Sequence, residues 1–332
     1  MSKKRFKLLG VVGACLLCLA LGSQAIAGDN DPQDLNLATF KTGSGWYIMA
    51  QTMSKIMVSV LPKDSRVDVL PYSGGVGNPM LLHQGKAKMA LGFPVETGQA
   101  IKGQPPYEEK MPGIRMLVGN LDTYWYLFSV REAVPIKSFA ELKAKKFPLR
   151  LVTLPKGSSG EWHTRTVLGA NGVTYDDIKS WGGKVTHVSF GTAVEMMKDS
   201  QADAFAHVST PGHPAWTRLT TTAKIRFLPI DSQVGETLIK EYGFRMSNLP
   251  KGAFSGVDAP VPVLGFATCL IATDKMSNDT AYKITKAICS NREELIATYK
   301  GAKVFDPKMA ANVALPLHPG AKKYYQEAGY LK

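Results

Sequence analysis

The sequence is poor in cysteine and histidine, with four and six among 332 residues. Cys15 and Cys18 fall near the N-terminus, so only Cys269 and Cys289 lie in the body of the chain. Two cysteines cannot build a disulfide scaffold. The expected state is two buried thiols, with a single disulfide as the alternative in an oxidising compartment. The histidines (83, 163, 187, 207, 213 and 318) form no H-E-x-x-H motif and no i,i+4 pair, so no metal site is read. Only one long apolar run exists, which excludes a polytopic membrane protein. Charged residues make up 20%, and acidic residues are the scarcer sign, 27 against 40 basic. Apolar residues make up 45%, and glycine and proline show no period. Collagen-like, mucin-like and disordered chains are thereby excluded.

The basic excess invites a nucleic-acid reading, but the basic residues are scattered. Their densest run is Lys143, Lys145 and Lys146, on a predicted helix end where they complement the helix dipole. No nucleic-acid fold signature accompanies them, and no nucleic-acid partner is expected. Four of the positive charges sit at the extreme N-terminus, in Lys3-Lys4-Arg5-Phe6-Lys7. An uncharged, mostly apolar stretch from Leu8 to Leu21 follows, then small residues ending Ala25-Ile26-Ala27. These are the parts of a secretory signal peptide over residues 1–27, cleaved near Ala27, and they predict a periplasmic protein. A lipoprotein box at Cys15, which would anchor the chain to a membrane, would leave a very short apolar core. Without residues 1–27 the chain keeps 36 basic and 27 acidic residues, a balance of +9.

Length suggests about two domains at roughly 100–200 residues each. Leu35–Phe40 alternates like a strand, and Trp46–Val60 has helical spacing. A strand at 67–70, a short helix at 78–83 and a strand at 89–93 follow, with 102–113 read as an exposed loop. Strand-like runs at 114–118 and 124–130 come next, then a helix opened by a capping box at Ser138 and Glu141. Strands at 149–153, 185–190, 202–207 and 225–229 alternate with helices. Val263–Ala272 reads as one strong strand, and Asn278–Tyr299 as one long amphipathic helix capped by Ser277 or Asn278. The expectation is an α/β protein of two lobes. Residues 28–123 form the first part of lobe 1, 124–255 form lobe 2, and 256–332 return across a hinge to complete lobe 1.

Such lobes bind ligands beyond the strand ends, where loops meet helix N-termini. Four Gly/Ser/Thr/Pro-rich loops fit, at 42–47, 73–78, 156–161 and 209–214. Gly75-Val76-Gly77 fails as a dinucleotide fingerprint, because Met80 stands where the third glycine belongs. Gly157-Ser158-Ser159-Gly160 fails as a nucleophile elbow, because Glu161 stands where its last glycine belongs. No cofactor is read and no catalytic residue is signalled. His207 and His213 flank the last loop. Trp46, Tyr47 and Trp162 each begin a helix behind a Gly/Ser loop and are the first choices for apolar pocket wall.

The stretch Pro316-Leu317-His318-Pro319-Gly320-Ala321-Lys322-Lys323-Tyr324-Tyr325, followed by Gly329, resembles the TAXI family of TRAP-associated substrate-binding proteins. Thr42-Gly43-Ser44 with Tyr47, Ser73-Gly74-Gly75, Gly157-Ser158, Ala202-Asp203-Ala204-Phe205 and Val261-Pro262 extend the likeness along the chain. The resemblance implies a type II periplasmic-binding-protein fold, with a ligand cleft between two hinged lobes. It further implies capture of a small organic anion, a carboxylate or an amino-acid-like solute, and its delivery to a TRAP-type membrane permease. Family pocket positions fall on Thr42, Ser44 and Tyr47, on Ser73 and Gly74, on Gly157, Ser158 and Ser159, and on Thr210 and Pro211; Gly43 and Trp46 complete the candidate ligand-binding set. Departures occur in the shortened first loop, at Trp46, and at Pro94 where the family usually has Gln. A periplasmic sensor and an exported enzyme are the alternatives on the same fold.

Overall fold

The computed structural model describes residues 31–72 and 74–331. The expected export signal and Ser73 lie outside the described residues. The first run of elements is β1 (Asp34–Thr39), α1 (Gly45–Val58), β2 (Arg66–Pro71), α2 (Gly77–His83), β3 (Met89–Gly92), α3 (Pro94–Lys102) and β4 (Ile114–Val118). A second begins with β5 (Tyr124–Arg131), α4 (Phe139–Ala144), β6 (Arg150–Thr153), α5 (Ser159–Ala170), α6 (Tyr175–Ser180) and β7 (Lys184–His187). It continues through α7 (Phe190–Lys198), β8 (Ala204–Ser209), α8 (Pro214–Thr222), β9 (Ile225–Phe227), α9 (Ser232–Tyr242), β10 (Arg245–Leu249) and β11 (Val261–Phe266). The chain closes with β12 (Cys269–Thr273), α10 (Asn278–Ser290), α11 (Arg292–Thr298) and α12 (Pro319–Glu327).

These strands form two mixed sheets. One has the order β2-β1-β3-β12-β4, the other β10-β11-β5-β8-β6-β7 with β9 also on β5. In the first sheet β12 runs antiparallel between β3 and β4. The expected single strand over 263–272 is therefore two strands in different sheets. Leu264–Phe266 pairs with β5, whereas Cys269–Ala272 pairs with β3. A continuous apolar run marks burial but carries no sign of a change of sheet. The chain also crosses between Val118 and Tyr124. The two crossings lie side by side, with the Leu121 N–H donating to the Thr268 carbonyl at 3.0 Å.

Local chemistry accounts for most helix ends. The Ser44 hydroxyl accepts from the Tyr47 N–H at 3.1 Å and so begins α1. Ser138 caps α4, but the Glu141 carboxylate accepts from the Lys137 N–H rather than from Ser138. The reciprocal capping box is instead at Thr174 and Asp177. Ser277 caps α10, and the expected long helix breaks at Asn291, whose φ of −111° and ψ of 36° are not helical. The 102–113 loop is largely exposed, as expected, but is anchored at two points. Tyr107 and Met111 are buried, and the Tyr107 hydroxyl donates to the Val76 carbonyl at 3.0 Å. Cys269 and Cys289 are both free and buried, so the disulfide alternative does not hold.

β5 is buried along its length because it lies inside the second sheet. Successive side chains of a strand face opposite sides. Tyr126, Phe128 and Val130 join one apolar cluster, which runs on into the first lobe, whereas Trp125 and Leu127 join a second beneath α7 and α8. Phe128→Ala would leave a cavity in the larger cluster. Its expected cost is about 3–5 kcal/mol, read as a lowered midpoint in urea denaturation.

Candidate functional site: the cleft between the lobes

The two crossings are tied by one hydrogen-bonded group. Asp122, in the first crossing, accepts from the Thr268 N–H at 2.8 Å and from the Thr268 hydroxyl at 2.9 Å. The Trp46 indole N–H donates to that same hydroxyl at 2.8 Å, and the Tyr299 hydroxyl donates to Asp122 at 3.2 Å. Trp46 is thus buried beside the hinge. Its ring begins a packed aromatic series that passes through Phe93 (4.7 Å between centroids), Phe266 (4.7 Å) and His163 (4.8 Å) to Phe244 (5.0 Å). Trp162 is likewise buried, against Tyr242 and Phe244. Both tryptophans therefore pack beneath the loops.

Above this aromatic floor the lobes meet closely. An added Cβ on Gly75, in the first lobe, would fall 1.9 Å from the Ser159 hydroxyl of the second and 2.9 Å from Glu96 Oε1. Only glycine allows the backbone this approach. An added Cβ on Gly160 would fall 1.7 Å from His207 Nδ1, so the imidazole rests directly on the first turn of α5. Glu96, in the first turn of α3, lies 3.4 Å from His163 Nε2 on α5, and both side chains are fully buried. That distance exceeds a normal hydrogen bond. Buried polar atoms without a hydrogen-bond partner collect here: both Glu96 carboxylate oxygens, both His163 nitrogens, the Thr39 and Ser159 hydroxyls and His207 Nδ1. Burial holds His207 well below its usual pKa, helped by His213 and His163, and lowers His213 to about 4. Both are neutral at pH 7.

The loops named from sequence divide in their placement. Ser44, Gly74, Ser158, Ser159 and Thr210 are buried or half-buried at the ends of β1, β2, β6 and β8, and Tyr47 is half-buried in the first turn of α1. Thr42, Gly43, Gly157 and Pro211 are exposed. The Ser158 hydroxyl is engaged as a cap, donating to the Pro155 carbonyl at 2.7 Å and accepting from the Glu161 N–H. Sequence reasoning missed Glu96, Asp122, Thr268 and Tyr299. The signal for α3 was present, since Pro94 at its first position and Glu96 in its first turn are helix-start residues. Among the described residues no cluster of His, Cys, Asp and Glu could hold a metal ion. Two surface grooves, of about 480 and 420 Å³, lie elsewhere, one along Lys251–Asp258 and one between α5 and α9. Neither contains Glu96, His163 or Ser159.

Burial pushes the Asp122 carboxyl up from 3.8 to about 6, although the bonds from Thr268 and Tyr299 hold it down. The folded chain keeps this proton where the unfolded chain loses it. Stability is therefore expected to fall as pH rises from about 4 to about 6, by on the order of 3 kcal/mol. Asp122→Asn should flatten that slope in urea denaturation across this range, and an unchanged slope would contradict the assignment. Gly75→Ala tests the closure directly. Gly75 is not among the residues with positive φ, so alanine suits its backbone. Its methyl should hold the lobes apart, raising the radius of gyration in small-angle scattering with the circular dichroism unchanged.

Comparison with known proteins follows the fold. Among solved structures the chain is similar to MatC from Rhodopseudomonas palustris with bound malate, at 14% identity and a TM-score of 0.52, covering 90% of this chain and 97% of that one. It is similar to a binding-protein component of an ABC phosphonate transporter from Pseudomonas aeruginosa, at 13% identity and a TM-score of 0.52, covering 82% and 80%. It is also similar to XAC2383 from Xanthomonas citri bound to chloride ion, at 14% identity and a TM-score of 0.50, covering 89% and 96%. The two hinged α/β lobes are thus the fold of periplasmic solute-binding proteins. Among the described residues no helix is long and apolar enough to cross a membrane. The family model of the NMT1-like family matches residues 37–329, and the chain belongs to that family.

Proposed function

We propose that the protein is an exported, non-catalytic solute-binding protein that captures a small molecule between its lobes and hands it to a membrane transporter. The observation that carries this is the facing set of buried, unpartnered polar atoms contributed by α3 on one side and α5 on the other. Such groups are stabilised only when hydrogen-bonded, and a small polar solute held by both lobes would satisfy them. A ligand that touches both lobes makes more contacts in the closed form, so it shifts the hinge equilibrium toward closure. The closed form is then the species a transporter recognises.

Within this reading the narrower assignment is a TAXI-type protein serving a TRAP-type permease in the periplasm. Its solute is a small organic acid or amino-acid-like molecule. Lobe 1 is built from 28–123 and the returning C-terminal segment, and lobe 2 from 124–255 with the strand β11. Ser44, Gly74, Ser158, Ser159 and Thr210 border the ligand, and Thr42, Gly43, Tyr47, Gly157 and Pro211 lie at the mouth. The backbone N–H groups that open α1 and α5 suit a carboxylate. Supporting the reading are the malate- and phosphonate-system proteins that share the fold.

Mass spectrometry of small molecules released from the purified, denatured protein tests the proposal. One solute in near-stoichiometric amount, whose re-addition lowers the radius of gyration, is the expected outcome. No released solute, and no compaction with any of a broad panel of carboxylates, amino acids and sugars, would overturn it.

A further inference from the structure

The cleft is acidic where the resemblance anticipated a home for an organic anion. Glu96 is fully buried at the junction of the lobes, and neither carboxylate oxygen has a hydrogen-bond partner. Its one nearby charge partner is His163, at 3.4 Å. Around it the hydroxyl of Ser159 and both His163 nitrogens are also unpartnered. Among the described residues no lysine or arginine is ion-paired to Glu96. Burial pushes up the acid groups of Tyr107 and Cys269, and Glu96 adds to both shifts. Burial likewise raises Tyr299, with Asp122 adding to it. A buried carboxylate without a paired, hydrogen-bonding cation is costly.

We infer that the solute carries a protonated amine, and that Glu96 is its counter-ion and the residue that sets specificity. This rests on the solute-binding reading above. An ammonium group brings three N–H donors, which match the unpartnered Glu96 oxygens and the Ser159 hydroxyl at the point where Gly75 admits Ser159 to the first lobe. A dicarboxylate would place a second negative charge beside Glu96 in a water-poor site, and this disfavours it. Closure and recognition are then one event. The cation reaches full contact only when Glu96 on α3 and Ser159 on α5 meet, so an ammonium-bearing solute pulls the lobes together.

Calorimetry with two matched sets of probes decides the matter. The first set is α- and ω-amino acids and linear diamines. The second is the same carbon skeletons as mono- and dicarboxylates, together with neutral sugars. The expected result is that the bound members belong to the first set, with affinities about tenfold or more above their amine-free counterparts. Glu96→Gln should lower the affinity for the best binder by about tenfold or more, while the unliganded protein keeps its circular dichroism. Ser159→Ala, which leaves the carboxylate in place, should lower it less, and provides the test should the Glu96 variant fail to fold. Binding of an amine-free acid or a sugar at equal or higher affinity, or an unchanged affinity in Glu96→Gln, would overturn the inference and leave the solute-binding reading standing. No binding in either set would overturn both.

Discussion

The arrangement of the lobes depends on one buried group, the Asp122 carboxylate between the two crossings. Both crossings are short, residues 119–123 and 267–268, and neither has a sheet to pair with. Their backbone groups find partners outside the sheets, and the Gly119 N–H donates to the Ala310 carbonyl at 2.9 Å. Asp122 supplies two acceptors for Thr268, and the Leu121 N–H bonds the Thr268 carbonyl. Trp46 and Tyr299, both from the first lobe, then bind this group from the outside. The connection between the two sheets is thereby narrow and defined.

From this hinge the character of the cleft follows. The aromatic rings of Trp46, Phe93, Phe266, His163 and Phe244 pack in series at its floor. The cleft walls are helix starts behind short loops, which bring N–H donors to the mouth and side-chain acceptors to the interior. Glu96 and His163 are a fully buried pair on α3 and α5, helices that follow strands of different sheets. The two are brought together without a hydrogen bond, so their polar atoms are poorly compensated.

Much of the fold was legible along the chain. The alternation of β1, the helical spacing of α1 and the serine and threonine caps are local signals, and the structure carries them at nearly the expected residues. Two long-range features were not. The run 263–272 is uniformly apolar, yet it serves two sheets, because burial in either core selects the same residue types. The helix expected over 278–299 has apolar spacing throughout, yet breaks at Asn291, where the chain turns into α11. The tryptophans show the same limit. Behind a Gly/Ser loop an aromatic residue can face ligand or core, and Trp46 packs into the core because its indole N–H finds Thr268, 222 residues away.

What the sequence determined by itself was the architecture: α/β alternation, short Gly/Ser-rich loops at helix starts, and no metal or nucleotide motif. These depend on interactions within a few residues, and a linear pattern records them. What only the tertiary structure decided was the chemistry of the cleft. Glu96 follows an ordinary strand in the first lobe, and His163 lies within an ordinary helix in the second. Nothing local marks either one, because their meaning comes from being buried opposite each other, across a hinge closed by residues more than a hundred positions apart.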